Sequence, residues 1–369
     1  MATACAGRLI MQANICKQRM KVLLTSPYYP PHIGGVQIHT RAIARGLSER
    51  GYEVEVVTSI GCDERVKVTT IPCLRIPYSP IPLAFPKVYA EVYHSHIPSP
   101  FFARCVLKKK YQPHIVTYHN DIVIPNRVNG KPLPRFVARW LEHQNERLVR
   151  PILDTAEVII ATTRSYAETT PLLKDYLDKV EIIPNAIRVN EFVPGKDVGE
   201  REKIVLYVGR LVEYKGLPIL IRAMKDIQAK LVVLGDGEDR NRFETLAQTV
   251  GAQVDFRGKV SDSEVQDWLR KARVLVLPGK SRLEAFGIVL LEAMACNTPV
   301  IAPNIPGVGE IARSGGLVFA DEDELSLTIT RILEDDTLAT MLGRKGRASV
   351  EQNYDWESVL DKIEALYTR

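Results

Sequence analysis

Arg210 and Lys215 stand five residues apart in Gly209-Arg210-Leu211-Val212-Glu213-Tyr214-Lys215-Gly216, directly after the strand-like run Ile204–Val208. Arginine offers a planar fork of donors and lysine a point charge, so together they could neutralise a diphosphate as it departs. Standing alone, the same two residues read as exposed surface charge. A second run, Glu284-Ala285-Phe286-Gly287-Ile288-Val289-Leu290-Leu291-Glu292, carries two carboxylates. If it were helical throughout, they would lie ~12 Å apart along the axis. A glycoside-hydrolysing pair needs about 5–9.5 Å, so these two suit separate parts of one long ligand. Carboxylates fit sugar and ribose hydroxyls because they only accept hydrogen bonds. The amides of Phe286, Gly287 and Ile288 would open a buried helix running to Ala295, which makes an anion site for phosphate.

Gly34-Gly35 follows the run Lys21–Thr25 and precedes a helical pattern from Gln37 to Arg50. Glycines there let backbone approach a ligand at a helix N-terminus, or simply make a tight turn. His119 closes the apolar run His114–Tyr118, where a polar residue faces the cleft in parallel α/β sheets. A lone histidine is more often structural. His94 and His96 close another apparent strand, Tyr89–Tyr93, and no metal-ligand set converges along the sequence. Gly235-Asp236-Gly237 lacks a third glycine, because Arg240 stands there, and its acidic neighbours would repel a pyrophosphate. Asp321-Glu322-Asp323 resembles a metal-chelating Asp-x-Asp, but Glu324 follows and the run reads as a helix cap.

The elements that must position these residues alternate between strand-like and helix-like runs almost throughout, which predicts parallel α/β layers. Lys21–Thr25, Glu53–Thr58, His114–Tyr118, Glu157–Ala161 and Val180–Ile183 read as one set of strands. Ile204–Val208, Lys230–Leu234, Val254–Phe256, Val274–Leu277 and Pro299–Ile301 read as a second. Leu133–Arg150 reads as a helix of the first set, and Pro184–Glu202 as the linker. The predicted units are an unstructured extension over 1–19, Rossmann-like domains over 20–188 and 189–352, and a C-terminal helical segment over 353–369. A chain of 369 residues suits two cores.

No stretch approaches the roughly 18 apolar residues of a membrane span. The six cysteines are scattered without C-x-x-C spacing and read as reduced thiols of a cytosolic protein rather than a disulfide frame or zinc site. Residues 1–190 carry 25 Lys/Arg against 15 Asp/Glu, and the remainder 24 against 29, so the first half is the basic one. Within it, Phe101-Phe102-Ala103-Arg104 leads to Lys108-Lys109-Lys110, and Arg135, Arg139, Arg147 and Arg150 mix with Phe136, Trp140 and Leu141. That mixture suits an anionic membrane surface at the inner face, or is a solvated basic face with its aromatics in the core. Nothing in the sequence points to nucleic acid.

Taken together the motifs resemble glycosyltransferase family 4, the retaining transferases of GT-B fold, from about Met20 to the end. Gly34-Gly35-Val36-Gln37-Ile38-His39 is similar to the opening of its lipid-directed mannosyl- and glucosaminyltransferases, including the phosphatidylinositol mannosyltransferases. The resemblance implies a hexosyltransferase using a UDP- or GDP-sugar and a lipid or glycan acceptor, with no cofactor and no metal. It implies that Arg210 and Lys215 hold the donor diphosphate, Glu284 the sugar and Glu292 the ribose. It also implies that Gly35 approaches the phosphate, that His119 lies near the sugar, and that Phe256-Arg257-Gly258-Lys259 borders the base. Attack on the face of departure would retain configuration without a protein nucleophile, and the final helix would cross back to the first domain. Asn297 and Ala186 stand where the pattern usually has glycine; asparagine tolerates the left-handed conformation. The competing readings are a GT-B epimerase of nucleotide sugars, for which no strong acid–base pair is visible in the first domain, and a non-catalytic subunit of a transferase complex.

Overall fold

The computed structural model describes residues 20–32, 34–76, 79–124, 127–128 and 131–369. The expected extension over 1–19 lies outside the described residues. Two all-parallel sheets organise the chain. The first has seven strands in the order Val180–Ile182, Val158–Ala161, His114–Tyr118, Val92–Ile97, Lys21–Thr25, Glu53–Thr58, Lys67–Thr70. The second has six, in the order Val254–Gly258, Lys230–Leu234, Ile204–Val208, Val274–Val276, Val300–Pro303, Gly316–Phe319. Their β-branched and leucine-rich runs are buried on both faces, as parallel strands covered by helices must be.

Each sheet has one place where strand order reverses, and that is where ligands bind in such folds. Lys21–Thr25 pairs with both Glu53–Thr58 and Val92–Ile97. Ile204–Val208 pairs with both Lys230–Leu234 and Val274–Val276. Gly34-Gly35 follows the first of these pivotal strands, and Arg210 and Lys215 follow the second.

In the two parallel sheets, Lys67–Thr70 and Gly316–Phe319 are additional to the expectation, and the strand expected over Tyr89–Tyr93 lies instead over Val92–Ile97. Val92–Ile97 carries His94 and His96 inside it rather than at its end, and all of its residues are buried. Two imidazoles break the apolar pattern that marks a strand; His94 is hydrogen-bonded at both ring nitrogens, to Tyr367 and Thr117 at 2.6 Å each. Lys67–Thr70 is an edge strand with exposed ends, and Gly316–Phe319 opens on a glycine packed against the Val300 carbonyl.

The last helix, Trp356–Tyr367, starts at Asp355, whose carboxylate accepts from the amides of Glu357 at 3.0 Å and Val189 at 3.1 Å. It packs on the helix Gly35–Glu49 beside the first sheet. Val359, Leu360 and Ile363 enter the core formed by Val22, Leu24 and Ile43, each contributing roughly 1.5–3 kcal/mol of apolar burial. Arg50 reaches Glu357, Asp361 and Glu364 of that helix, each at 2.7 Å. Asn297 has φ of 60°, so this asparagine keeps the left-handed turn. Ala186 is buried in the same core as Trp356.

Candidate active site

Lys215 ends a single 3-10 turn, Glu213–Lys215, after the strand Ile204–Val208. Gly216 follows with φ of 76°, its Cα so close to the Pro278 carbonyl that a side chain would collide with it. This close approach brings Lys215 to the loop after Val274–Val276, where its ammonium pairs with the Glu284 carboxylate. Arg210 is exposed and donates to the Tyr214 hydroxyl at 2.6 Å; the Lys215 ammonium lies 5.8 Å from the same ring. Two cations therefore flank one aromatic ring beside a carboxylate.

The segment Gly235-Asp236-Gly237, a poor dinucleotide fingerprint, holds this loop in place. The Leu211 amide donates to the Asp236 carbonyl at 3.0 Å, the Asp239 amide to the Leu211 carbonyl at 3.0 Å, and the Glu213 amide to the Asp239 carboxylate at 2.8 Å. Asp321 accepts from the Glu324 amide at 2.9 Å while the Glu324 carboxylate accepts from the Ala320 amide, so that acidic run is a cap.

Glu284 lies in a loop, because the helix begins only at Ile288 and runs to Ala295. The ~12 Å spacing expected of a continuous helix thus does not describe the pair: Glu284 and Glu292 sit on a loop and a helix respectively. Gly287 caps that helix in the left-handed region without a side-chain bond, leaving its N-terminus to Phe286, Gly287 and Ile288. Glu292 is partly buried, and burial, with the Asp262 charge second, raises its carboxyl to about 7. The Arg257 guanidinium pairs with Asp255 at 2.7 Å and lies 5.3 Å from the Trp268 ring. Lys259 is exposed just beyond the strand Val254–Gly258.

Across the cleft, no side chain caps the helix Gly35–Glu49, and a Cβ on Gly35 would meet nothing within 4 Å. One turn on, the helix delivers His39 to His96 and His119. His96 Nδ1 and His119 Nε2 are 3.1 Å apart, and the His39 and His119 rings meet edge to face at 4.9 Å. All three are buried, with ligand atoms within 4.8 Å of one another. The fold therefore assembles from three elements a nitrogen cluster that the linear sequence does not reveal. Among the described residues, His39 Nδ1 and His96 Nε2 have no hydrogen-bond partner. Burial holds His39 down to about 4 and His94, next to His96, down to about 3; it depresses His96 and His119 as well, with neighbouring histidines adding to the effect on all but His39.

The two halves of the site meet directly. Arg282, two residues before Glu284, donates to Asp121, two residues after His119, at 2.5 Å. The Tyr166 hydroxyl accepts from the Asp121 amide at 2.7 Å and donates to the Arg282 carbonyl at 3.0 Å. Tyr166 and Arg282 belong to no motif, and Asp121 only closes the segment Val116–Asp121 around His119; their partners lie 45 to 161 residues away, which no local signal reveals.

Two family models divide the chain: Glycosyltransferase Family 4 matches residues 33–191, and Glycosyl transferases group 1 matches residues 190–349. An uncharacterized glycosyltransferase of Methanocaldococcus jannaschii is 29% identical, with 94% of this chain and 98% of the relative aligned. O-antigen chain mannosyltransferase C of Escherichia coli is 24% identical over 95% of this chain and 98% of its own. The solved sucrose-phosphate synthase of Thermosynechococcus elongatus superposes with a TM-score of 0.77 at 23% identity, covering 95% of this chain and 98% of that one. Two facing parallel sheets of GT-B type, with both halves matched by transferase models, make this chain an enzyme of the family 4 and group 1 glycosyltransferases.

Proposed function

We propose that the enzyme moves a hexose from a UDP- or GDP-sugar to a lipid or glycan acceptor, with retention and without a metal. The observation that carries this reading is the convergence of Arg210, Lys215 and Glu284 at the strand-order reversal of the second sheet. A diphosphate there would meet two cations and the uncapped helix N-terminus at Gly287, charges that stabilise a departing nucleotide diphosphate. Glu284 would accept from sugar hydroxyls and Glu292 from the ribose, while His119 and the Gly34-Gly35 turn border the donor from the opposite domain. Attack by the acceptor on the face of departure would retain configuration without a covalent intermediate.

For the acceptor side, Phe136 and Trp140 are 76% and 59% exposed one helical turn apart on Arg135–Thr155, beside exposed Arg139. This face supports reversible attachment to an anionic membrane, at the cytoplasmic side. Phe102 does not share in it: it is buried in the first domain's core. Among the described residues no helix is long and apolar enough to cross a membrane.

The reading is tested by following product configuration by NMR in excess EDTA. An axial linkage from an axially linked donor, formed at an undiminished rate, is expected. An inverted product would remove the same-face mechanism. Loss of activity restored by magnesium, manganese or zinc would remove metal independence, with His39, His96 and His119 the first ligands to examine.

A further inference from the structure

We infer that Tyr166, Arg282 and Asp121 form an interdomain clamp that positions Glu284 for sugar transfer. The inference rests on the transferase reading above for its kinetic consequence, but the clamp itself stands on geometry. Tyr166 is 1% exposed, yet its hydroxyl sits between the domains with both hydrogen-bonding capacities used, one toward Asp121 and one toward Arg282. The Arg282 guanidinium lies 4.6 Å from the Tyr166 ring, donates to Asp121 at 2.5 Å and donates to Thr170 at 2.7 Å. Asp121 in turn accepts from the Tyr118 hydroxyl at 2.7 Å.

The clamp grips the sugar motif from both ends. Arg282 precedes Glu284 by two residues, and Ala285 follows it directly. Ala285 is buried within the first domain's core, alongside Tyr118 and Tyr166, although it belongs to the second domain's loop. Behind it stands Gly307, with φ of 87°; any side chain there would strike the Ala285 carbonyl, and the Tyr166 ring lies 3.2 Å from the same point. The Gly307 amide also donates to the Ser165 hydroxyl at 3.1 Å, and the Ser165 amide to the Glu310 carboxylate at 2.9 Å. Glu284, paired with Lys215, thus lies between Arg282 and Ala285, both fixed to the opposite domain.

A group held this way loses freedom only when the domains are joined, so the clamp makes the sugar-binding carboxylate productive in the closed arrangement. Misplacing such a group by about 1 Å can cost on the order of a hundredfold in rate. Tyr166, Arg282 and Asp121 touch neither reacting atoms nor, in this reading, the donor; they are positioning residues.

The test uses the full chain with Tyr166→Phe, Arg282→Lys and Arg282→Gln. Affinity for UDP and GDP alone is read by calorimetry, kcat by nucleotide release, integrity by thermal melting, and domain arrangement by small-angle scattering. Expected are nucleotide affinities within about threefold of wild type, a kcat lowered tenfold or more in Tyr166→Phe and Arg282→Gln, partial recovery in Arg282→Lys, and a larger radius of gyration in Arg282→Gln. Wild-type kcat in Tyr166→Phe and Arg282→Gln would overturn the role, as would parallel loss of kcat, nucleotide affinity and melting temperature. Failure of the transferase reading is distinguishable, because the wild-type chain itself would then turn over no donor. Scattering would still decide the clamp in that case: an unchanged profile in Arg282→Gln overturns it.

Discussion

Lys215 and Glu284 form an ion pair between the two loops that flank the strand-order reversal of the second sheet. In the absence of a donor, each neutralises the other in a partly buried position. On the proposed reading, a nucleotide-diphosphate sugar would bring an anion for Lys215 and hydroxyl donors for Glu284, so binding would exchange one set of polar contacts for another.

Removing the cations follows from that relationship. Lys215→Ala and Arg210→Ala are each expected to lower kcat about 10²–10³-fold, the usual cost of losing a group that stabilises developing charge, equivalent to about 2.7–4 kcal/mol. Steady-state nucleotide release measures it. Near-normal turnover in both variants would contradict the assignment of these residues to the diphosphate.

If Glu292 accepts from the ribose as proposed, nucleotide binding depends on pH. Its carboxyl, raised by burial to about 7, is protonated below neutrality and then offers ribose hydroxyls one fewer acceptor. Affinity for UDP or GDP is expected to rise between pH 6 and 8, and Glu292→Gln to bind more weakly with a flatter profile. The variant retains whatever the nucleotide's own phosphate contributes, so the difference between the two curves isolates the carboxyl. Identical slopes would separate Glu292 from the ribose.

The buried histidines set acid stability. Burial lowers His39 and His114 to about 4 and His94 to about 3, whereas in the unfolded chain each titrates near the ordinary histidine value of 6.5. Below that value the unfolded state binds more protons than the folded one, so stability is full above about pH 6.5 and falls as pH drops toward 4 and 3. At pH 5 each wholly neutral histidine accounts for roughly 2 kcal/mol. The raised Glu292 acts in the opposite direction over the same range, but it is one group against several. Urea midpoints at pH 7 and pH 5 should differ clearly in favour of pH 7; equal midpoints would mean that the histidines are not held neutral.

The exposed aromatic and basic face of Arg135–Thr155 is expected to carry the protein onto anionic vesicles in flotation at low salt. Release is expected at high salt, since each basic residue near such a surface adds about 1 kcal/mol that salt screens. Phe136→Ser combined with Trp140→Ser should weaken it. No flotation at low salt would remove the membrane attachment and leave the transferase chemistry untouched.

How much of this was legible in the sequence depended on how local the signal was. The pivotal strands Lys21–Thr25 and Ile204–Val208 match the expected bounds, because unbroken apolar runs carry their own signal. The bounds of Val92–Ile97 were obscured by its histidines, of which His94 is held by Thr117 and Tyr367 at 2.6 Å each, the latter 273 residues away. The loop of Arg210 and Lys215 was recognised from its residue types, but its pairing with Glu284 spans 69 residues and depends on the Gly216 turn beside Pro278. The histidine cluster and the Tyr166–Arg282 contact were invisible for the same reason: each joins elements that only tertiary folding brings together.

The most direct measurement is nucleotide release from a panel of UDP- and GDP-hexoses by the wild-type chain and by Lys215→Ala, with lipid and glycan acceptors supplied in turn. The account predicts release from one donor class, dependent on acceptor, with transfer of the hexose confirmed by mass and at least a hundredfold loss of turnover in the variant. Release from no donor with any acceptor, or equal release by the two proteins, would contradict it.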